Sequence, residues 1–239
     1  MLLFYIRHGD PVYNPDSLTP QGELQAQALA KRLALYGLDE IYTSTSNRAI
    51  KTAEPTAKLL NITPTALDFC NEAHPWKNLT VTTEEGKNAW IFHDQRMRAA
   101  LNSREGIALG ERWYDHPVFA GERRFGDYIK QSNREIDEFI ASHGYVHNRE
   151  THTYRAERPN WKRIALFAHQ GFGMVFLSSL LDIPYSQFCF RFNFGHSSMT
   201  VIRFNGDDDA VVPCVLQLSN DSHLYREGLP TKYINSIYF

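Results

Sequence analysis

Residues 163–169 read RIALFAH, and every position from Ile164 to Ala168 is apolar. A strand with one wet face alternates apolar and polar residues. A strand apolar throughout is covered on both faces, as in parallel sheets packed between layers of helix. The stretch FYIRHG, residues 4–9, has the same character, with Phe4, Tyr5 and Ile6 running into Arg7, His8 and Gly9. Helical patterns separate such strands. A helix is predicted from Pro20, capped by Thr19 and stopped at Gly37, with an apolar stripe of Leu24, Ala28, Leu29, Leu33 and Tyr36. DEIYTS (39–44) reads as a strand and NRAIKTAEPTAKLL (47–60) as a helix that Pro55 kinks or breaks. Residues 62–69 read as extended. A long amphipathic helix is expected over 124–143 with Phe125, Ile129, Ile136, Phe139 and Ile140 inward, then a hairpin within 145–162. GFGMVFLSSLLD forms the helix after RIALFAH, and MTVIRF and VVPCVLQL are two closing strands. This order predicts an α/β fold, a three-layer α/β/α sandwich around a largely parallel sheet.

The chain has 239 residues, enough for one domain spanning 1–239. Residues 71–123 break the alternation. They hold Trp76, Trp90 and Trp113 and charges of both signs, and are read as a mostly helical insertion or cap within that domain. A net charge of −2 does not suggest a nucleic-acid-binding surface. No apolar run approaches the roughly 20 residues needed to cross a bilayer, and Leu2–Ile6 is too short for a signal-peptide core. Cys70, Cys189 and Cys214 are odd in number and lack CxxC spacing, so reduced thiols in a cytoplasmic protein are expected.

In sheets of this kind ligands gather at the carboxyl ends of the strands. The first strand ends in Arg7, His8 and Gly9, and the strand 39–44 leads to Arg48 on the next helix. RIALFAH delivers His169. Two histidines and two arginines thus converge on one sheet edge. Arginine forks match phosphate oxygens and stay charged, and a neutral imidazole is a competent nucleophile. The set suits phosphoryl transfer through a phosphohistidine.

With these residues in view, the chain resembles the histidine phosphatase superfamily, the phosphoglycerate mutase-like proteins with an RHG motif after the first strand. RHGDPVYN (7–14), LTPQGELQA (18–26), YTSTSNRAIKTA (42–53) and ALFAHQGF (165–172) match four family blocks in order. The resemblance implies that His8 carries the phosphoryl group and that Arg7, Arg48 and His169 clamp its oxygens, with Asn14 adding a hydrogen bond. It also implies a carboxylic acid that protonates the leaving group. Glu72, in LDFCNEAHPW, occupies the matching place, with Glu84 and Glu85 as rivals. HQG at 169–171 departs from the commoner His-Gly. No metal or cofactor is implied, and the expected partner is a small phosphorylated metabolite, with no nucleic acid and no membrane.

The resemblance points first to a metal-independent phosphomonoesterase. A cofactor-dependent phosphoglycerate mutase is the enzymatic alternative, but residues 71–90 do not resemble the mutases' long run with its Gly-Leu-Asn-Lys stretch. A non-catalytic phosphate-ester-binding protein is the other. His143, His147 and His152 match no metal-ligand spacing and are expected to be solvated. His196, in FGHSSM, is open to either packing or substrate contact. The insertion's tryptophans suit a satellite core or a substrate wall. Its arginines, Arg96, Arg98, Arg104, Arg112, Arg123 and Arg124, are expected mostly in solvent, with one or two reaching an anionic leaving group.

Overall fold

The structure, a computed structural model, describes residues 1–206 and 208–231. The chain opens with β1 (Leu2–Arg7), a small hairpin of β2 (Pro11–Tyr13) and β3 (Asp16–Leu18), and α1 (Pro20–Tyr36). β4 (Glu40–Ser44), α2 (Asn47–Leu60) and β5 (Thr65–Leu67) follow. The next segment holds α3 (Ala73–Asn78), a hairpin of β6 (Thr80–Thr82) and β7 (Asn88–Trp90), then α4 (Gln95–Leu101) and α5 (Arg104–Ala108). Short 3-10 turns lead to α6 (Arg124–Ser142) and a hairpin of β8 (Tyr145–Asn148) and β9 (Thr153–Ala156). β10 (Arg163–Ala168), α7 (Gln170–Leu180), α8 (Tyr185–Phe188), β11 (Met199–Arg203), β12 (Cys214–Asn220) and α9 (Ser222–Arg226) complete the described chain.

Six strands form one sheet in the order β12-β11-β1-β10-β4-β5. β1, β10, β4 and β5 run parallel, while β11 pairs antiparallel with β1 and β12 antiparallel with β11. The largely parallel α/β sheet is therefore as the alternation predicted. Successive strand side chains point to opposite faces. Phe4, Ile6, Ala165 and Phe167 accordingly pack with Leu29 and Leu33 of α1 and Ala53 and Ala57 of α2. Leu3, Tyr5, Ile164 and Leu166 face the other way, into a larger core with Ile129 and Ile136 of α6 and Phe172 and Phe176 of α7. Both faces are buried, which is why these strands read as unbroken apolar runs.

The register fixes the site. Arg7 of β1 lies opposite Ala168 of β10, so His8 and His169 leave two adjacent parallel strands side by side at their carboxyl edge. The turn after β1 is tight against α1. A Cβ on Gly9 would stand 2.8 Å from the Gly22 carbonyl oxygen, and one on Gly22 would stand 2.2 Å from that of Asp10. The two glycines, from separate blocks of the sequence, are one packing contact.

Several expectations need correction. Thr19 caps α1 through Gly22 N and Gly37 ends it at φ 69°, but Leu24 is exposed. Gln25 is buried in its place, accepting the Asp10 N–H at 2.8 Å, so a polar tertiary contact overrides the apolar stripe. Pro55 does not end α2, whose Ala49, Thr52, Ala53, Thr56 and Ala57 are buried and hold the helix through the lost backbone bond. Of the residues 62–69, only Thr65–Leu67 joins the sheet. Within segment 71–123, read as mostly helical, Thr80–Thr82 also pairs antiparallel with Asn88–Trp90. His143 and His147 are not solvated. His143 hydrogen-bonds the Phe139 carbonyl oxygen at 2.7 Å, and His147 is bridged between Asp137 and Asp182 at 2.8 Å each. His152 is exposed, as expected.

Candidate active site

At the carboxyl edge of β1 and β10 the structure forms a cleft of about 730 Å³. Arg7, His8, Arg48 and Glu72 all line it, together with Tyr13, Asp16, Ser46, Trp76, Trp90 and Gln170. His169 is fully buried just behind, with its ring centroid 5.2 Å from that of His8.

His8 is held in one tautomer. Its Nδ1 lies 2.7 Å from the Gly9 carbonyl oxygen, which can only accept, so Nδ1 carries the proton. Nε2 therefore keeps its lone pair, and among the described residues nothing hydrogen-bonds to it. Burial, reinforced by His169 and Arg7, drives the His8 pKa well below the ordinary histidine value. His169 is driven down likewise by burial and by Arg48 and Arg7. Both imidazoles are neutral at neutral pH. His169 Nε2 sits 2.8 Å from Ser44 Oγ and 3.0 Å from Ser46 Oγ, which fix its ring from the end of β4.

Arg7 is 5 % exposed and burial lowers its pKa to about 10, so it remains a cation. Its Nη1 donates to the Phe194 carbonyl, and Nη2 donates to His196 Nε2 at 2.9 Å. His196 Nδ1 in turn lies 3.1 Å from Asp10 Oδ1. Accepting from Arg7 at one nitrogen and donating to Asp10 at the other requires a neutral ring. Burial and the Arg7 charge lower the His196 pKa in that direction. His196 therefore orients Arg7. The sequence left its role open, and the contact with Asp10, in the RHGD block, is visible only in three dimensions. Arg48 reaches the cleft from the first turn of α2, and its Nη1 is 2.8 Å from Asp16 Oδ1.

Glu72 bridges the cleft and α7. Its two carboxyl oxygens accept the N–H groups of Gly171 and Phe172, each at 2.8 Å, at the start of that helix. Burial raises its pKa, and the two amide donors oppose the rise without cancelling it. The extra residue in HQG now has a place. Gln170 lines the cleft and donates to Asn193 Oδ1 at 2.6 Å, while Gly171 moves under Glu72 and Trp90. A Cβ at Gly171 would stand 2.5 Å from the Trp90 ring and 2.9 Å from Glu72 Oε1.

Other predicted residues fall elsewhere. Asn14 is exposed at the β2–β3 turn, and its neighbours Tyr13 and Asp16, which sequence reasoning missed, line the cleft instead. Glu84 and Glu85 are exposed in the β6–β7 turn, outside the lining. Trp113 is core, whereas Trp76 and Trp90 are wall. Neither the insertion's five arginines nor the adjoining Arg124 lines the cleft. A grouping of Glu111, His152 and Asp182 could offer ligand atoms to a cation, but it lies outside the cleft with Arg149 Nη1 3.7 Å from Asp182. Among the described residues no helix is long and apolar enough to cross a membrane.

The sequence profile of the histidine phosphatase superfamily (branch 1) matches residues 3–149, so the chain belongs to that superfamily. Comparison with curated proteins finds no match. Among solved structures, it is similar to a phosphoserine phosphatase mutant from Entamoeba histolytica in complex with phosphoserine. That pair shares 16 % identity over 93 % of this chain and 98 % of the other, at a TM-score of 0.59. A mycobacterial glucosyl-3-phosphoglycerate phosphatase complexed with VO3 is 20 % identical over 90 % and 97 % of the chains, at 0.57. A protein described as mycobacterial hydrolase 1 is 19 % identical over 92 % and 98 %, at 0.58. These likenesses establish the shared fold.

Proposed function

We propose that the chain hydrolyses a small phosphomonoester through a phosphohistidine on His8. The observation that carries this reading is the His8 tautomer, because the Nδ1 contact with Gly9 O leaves a neutral Nε2 lone pair at the cleft beside Arg7. In the first step Nε2 attacks phosphorus and the bond to the leaving oxygen breaks. Glu72 gives that oxygen its proton, a role suited to a carboxyl whose pKa burial has raised. Positive charge developing on the imidazole is met by Nδ1–H donating to Gly9 O. Arg7, Arg48 and His169 stabilise the equatorial oxygens of the transferring group. In the second step water attacks phosphorus and gives its proton to Glu72, the N–P bond breaks, and neutral His8 returns. No step requires a metal or cofactor. Asn14 joins the phosphate only if the β2–β3 hairpin moves inward on binding. The whole chain acts as one catalytic domain, with residues 71–123 as its cover, in the cytoplasm.

Hydrolysis of p-nitrophenyl phosphate in EDTA tests the reading. The native protein turns over, and His8→Ala loses on the order of 10³-fold or more. Equal rates in the two proteins would remove His8 as nucleophile.

A further inference from the structure

The outer cleft carries chemistry of its own. Beyond the phosphate-facing residues its wall is Trp76, Trp90 and Tyr13 with Ala73. Trp76 and Trp90 meet edge to face, with centroids 5.0 Å apart and planes at 80°. Trp90 is fixed from behind by stacking on Phe92 at 5.5 Å and 10°, and from below by Gly171. Trp76 is 43 % exposed. Two indoles at a right angle form a corner in which a planar ring meets one face and one edge together, both favoured aromatic geometries. The volume is also well within the range of about 300–1,000 Å³ that accommodates drug-sized ligands, far more than a phosphate needs.

The charges point the same way. Among the described residues the cations lining the cleft are Arg7 and Arg48, and both are required by the phosphate. Asp16 and Glu72 are the lining acids. None of the arginines in or beside the insertion lines the cleft; Arg96 pairs with Asp94, and Arg124 with Glu122 and the carbonyls of Lys77 and Thr80. With Arg48 already paired to Asp16 and Arg7 facing the phosphate, a carboxylate or second phosphate on the leaving group would enter with no spare cation among the described lining residues, which is discrimination by an unpaired charge.

Resting on the phosphomonoesterase reading, we infer that the substrate is a monophosphate whose leaving group is uncharged and carries a planar ring, held in the Trp76–Trp90 corner. Trp76 and Trp90 are then specificity-determining residues.

The test compares 2-phenylethyl phosphate with 3-phosphoglycerate and phosphoserine. All three release primary alkoxides, so leaving-group reactivity does not set the ranking. We expect kcat/KM for 2-phenylethyl phosphate to exceed the other two by roughly tenfold or more, from ring burial and aromatic contact. Trp76→Ala should shrink that ratio at least several-fold, and Trp76→Phe should restore most of it. A ratio of one or below, or one that Trp76→Ala leaves unchanged, overturns the inference while the phosphatase reading stands. If p-nitrophenyl phosphate and all three compounds go unhydrolysed, the phosphatase reading fails. The ranking of dissociation constants for the same three compounds, read by tryptophan fluorescence on the native protein, then decides the corner's preference by itself.

Discussion

Arg7, His8 and His169 emerge from two adjacent parallel strands locked with Arg7 opposite Ala168, whereas Trp76 and Trp90 come from a six-residue helix and a three-residue strand in segment 71–123. The inner half of the cleft is positioned by a paired sheet buried on both faces. The outer half is positioned by a short helix and a two-stranded hairpin and by packing of the Trp90 indole on Phe92 and against the Gly171 backbone. Backbone register fixes where the residues of the inner half stand, so they read as short local motifs in the sequence. Packing of the outer kind can be satisfied by many residue combinations, so it leaves no comparable local pattern in the sequence. On the proposed reading, reaction type belongs to the sheet edge and substrate choice to the cover, with Glu72 as the residue between them.

Four substitutions separate the halves. The largest effect is expected at the junction. Glu72→Gln should lower kcat/KM for alkyl phosphates by about 10²–10⁴-fold, because a general acid is lost while shape is kept. The pH profile sharpens this. His8, depressed, must be neutral, so activity falls as pH drops through its pKa; Glu72, raised, must be protonated, so activity falls as pH climbs through its own. Glu72→Gln should therefore abolish the alkaline limb and keep the acid limb. A retained alkaline limb would assign it elsewhere.

A second, smaller effect probes the inner half alone. Gly9→Ala forces a Cβ to 2.8 Å from the Gly22 carbonyl oxygen, and backbone cannot yield as a side chain tip can. It should cost about 1–3 kcal/mol of stability, visible as a lowered Tm and accompanied by reduced turnover. An unchanged Tm would show that the turn is less constrained than its contacts indicate. The smallest effect belongs to the outer surface. Glu84→Gln and Glu85→Gln, both in the exposed β6–β7 turn, should leave kcat/KM within twofold and stability within about 0.5 kcal/mol. A large loss in either would transfer the acid role from Glu72.

The same division governs what the sequence revealed. The doubly buried strands, Arg7, His8, Arg48 and His169 were legible because unbroken apolar runs and the residues just after them are local features of the sequence. Glu72 was legible by its place after the second helix, but its grip on the start of α7 was not, since Gly171 lies 99 residues away. His196 was equivocal because its partners, Asp10 and Arg7, are far off in sequence. Asn14 was drawn into the site by its motif, yet the hairpin turn carries it to the surface and presents Tyr13 and Asp16. The β6–β7 hairpin escaped notice because three-residue strands are too short to display a period.

The central claim is that the phosphoryl group passes through Nε2 of His8. Rapid acid-free quenching during turnover, followed by ³¹P NMR of the protein, tests it most directly. A base-stable, acid-labile phosphohistidine substituted at Nε2 and lost in His8→Ala is the predicted result. Normal turnover with no phosphohistidine, or with phosphate on another residue, would contradict it.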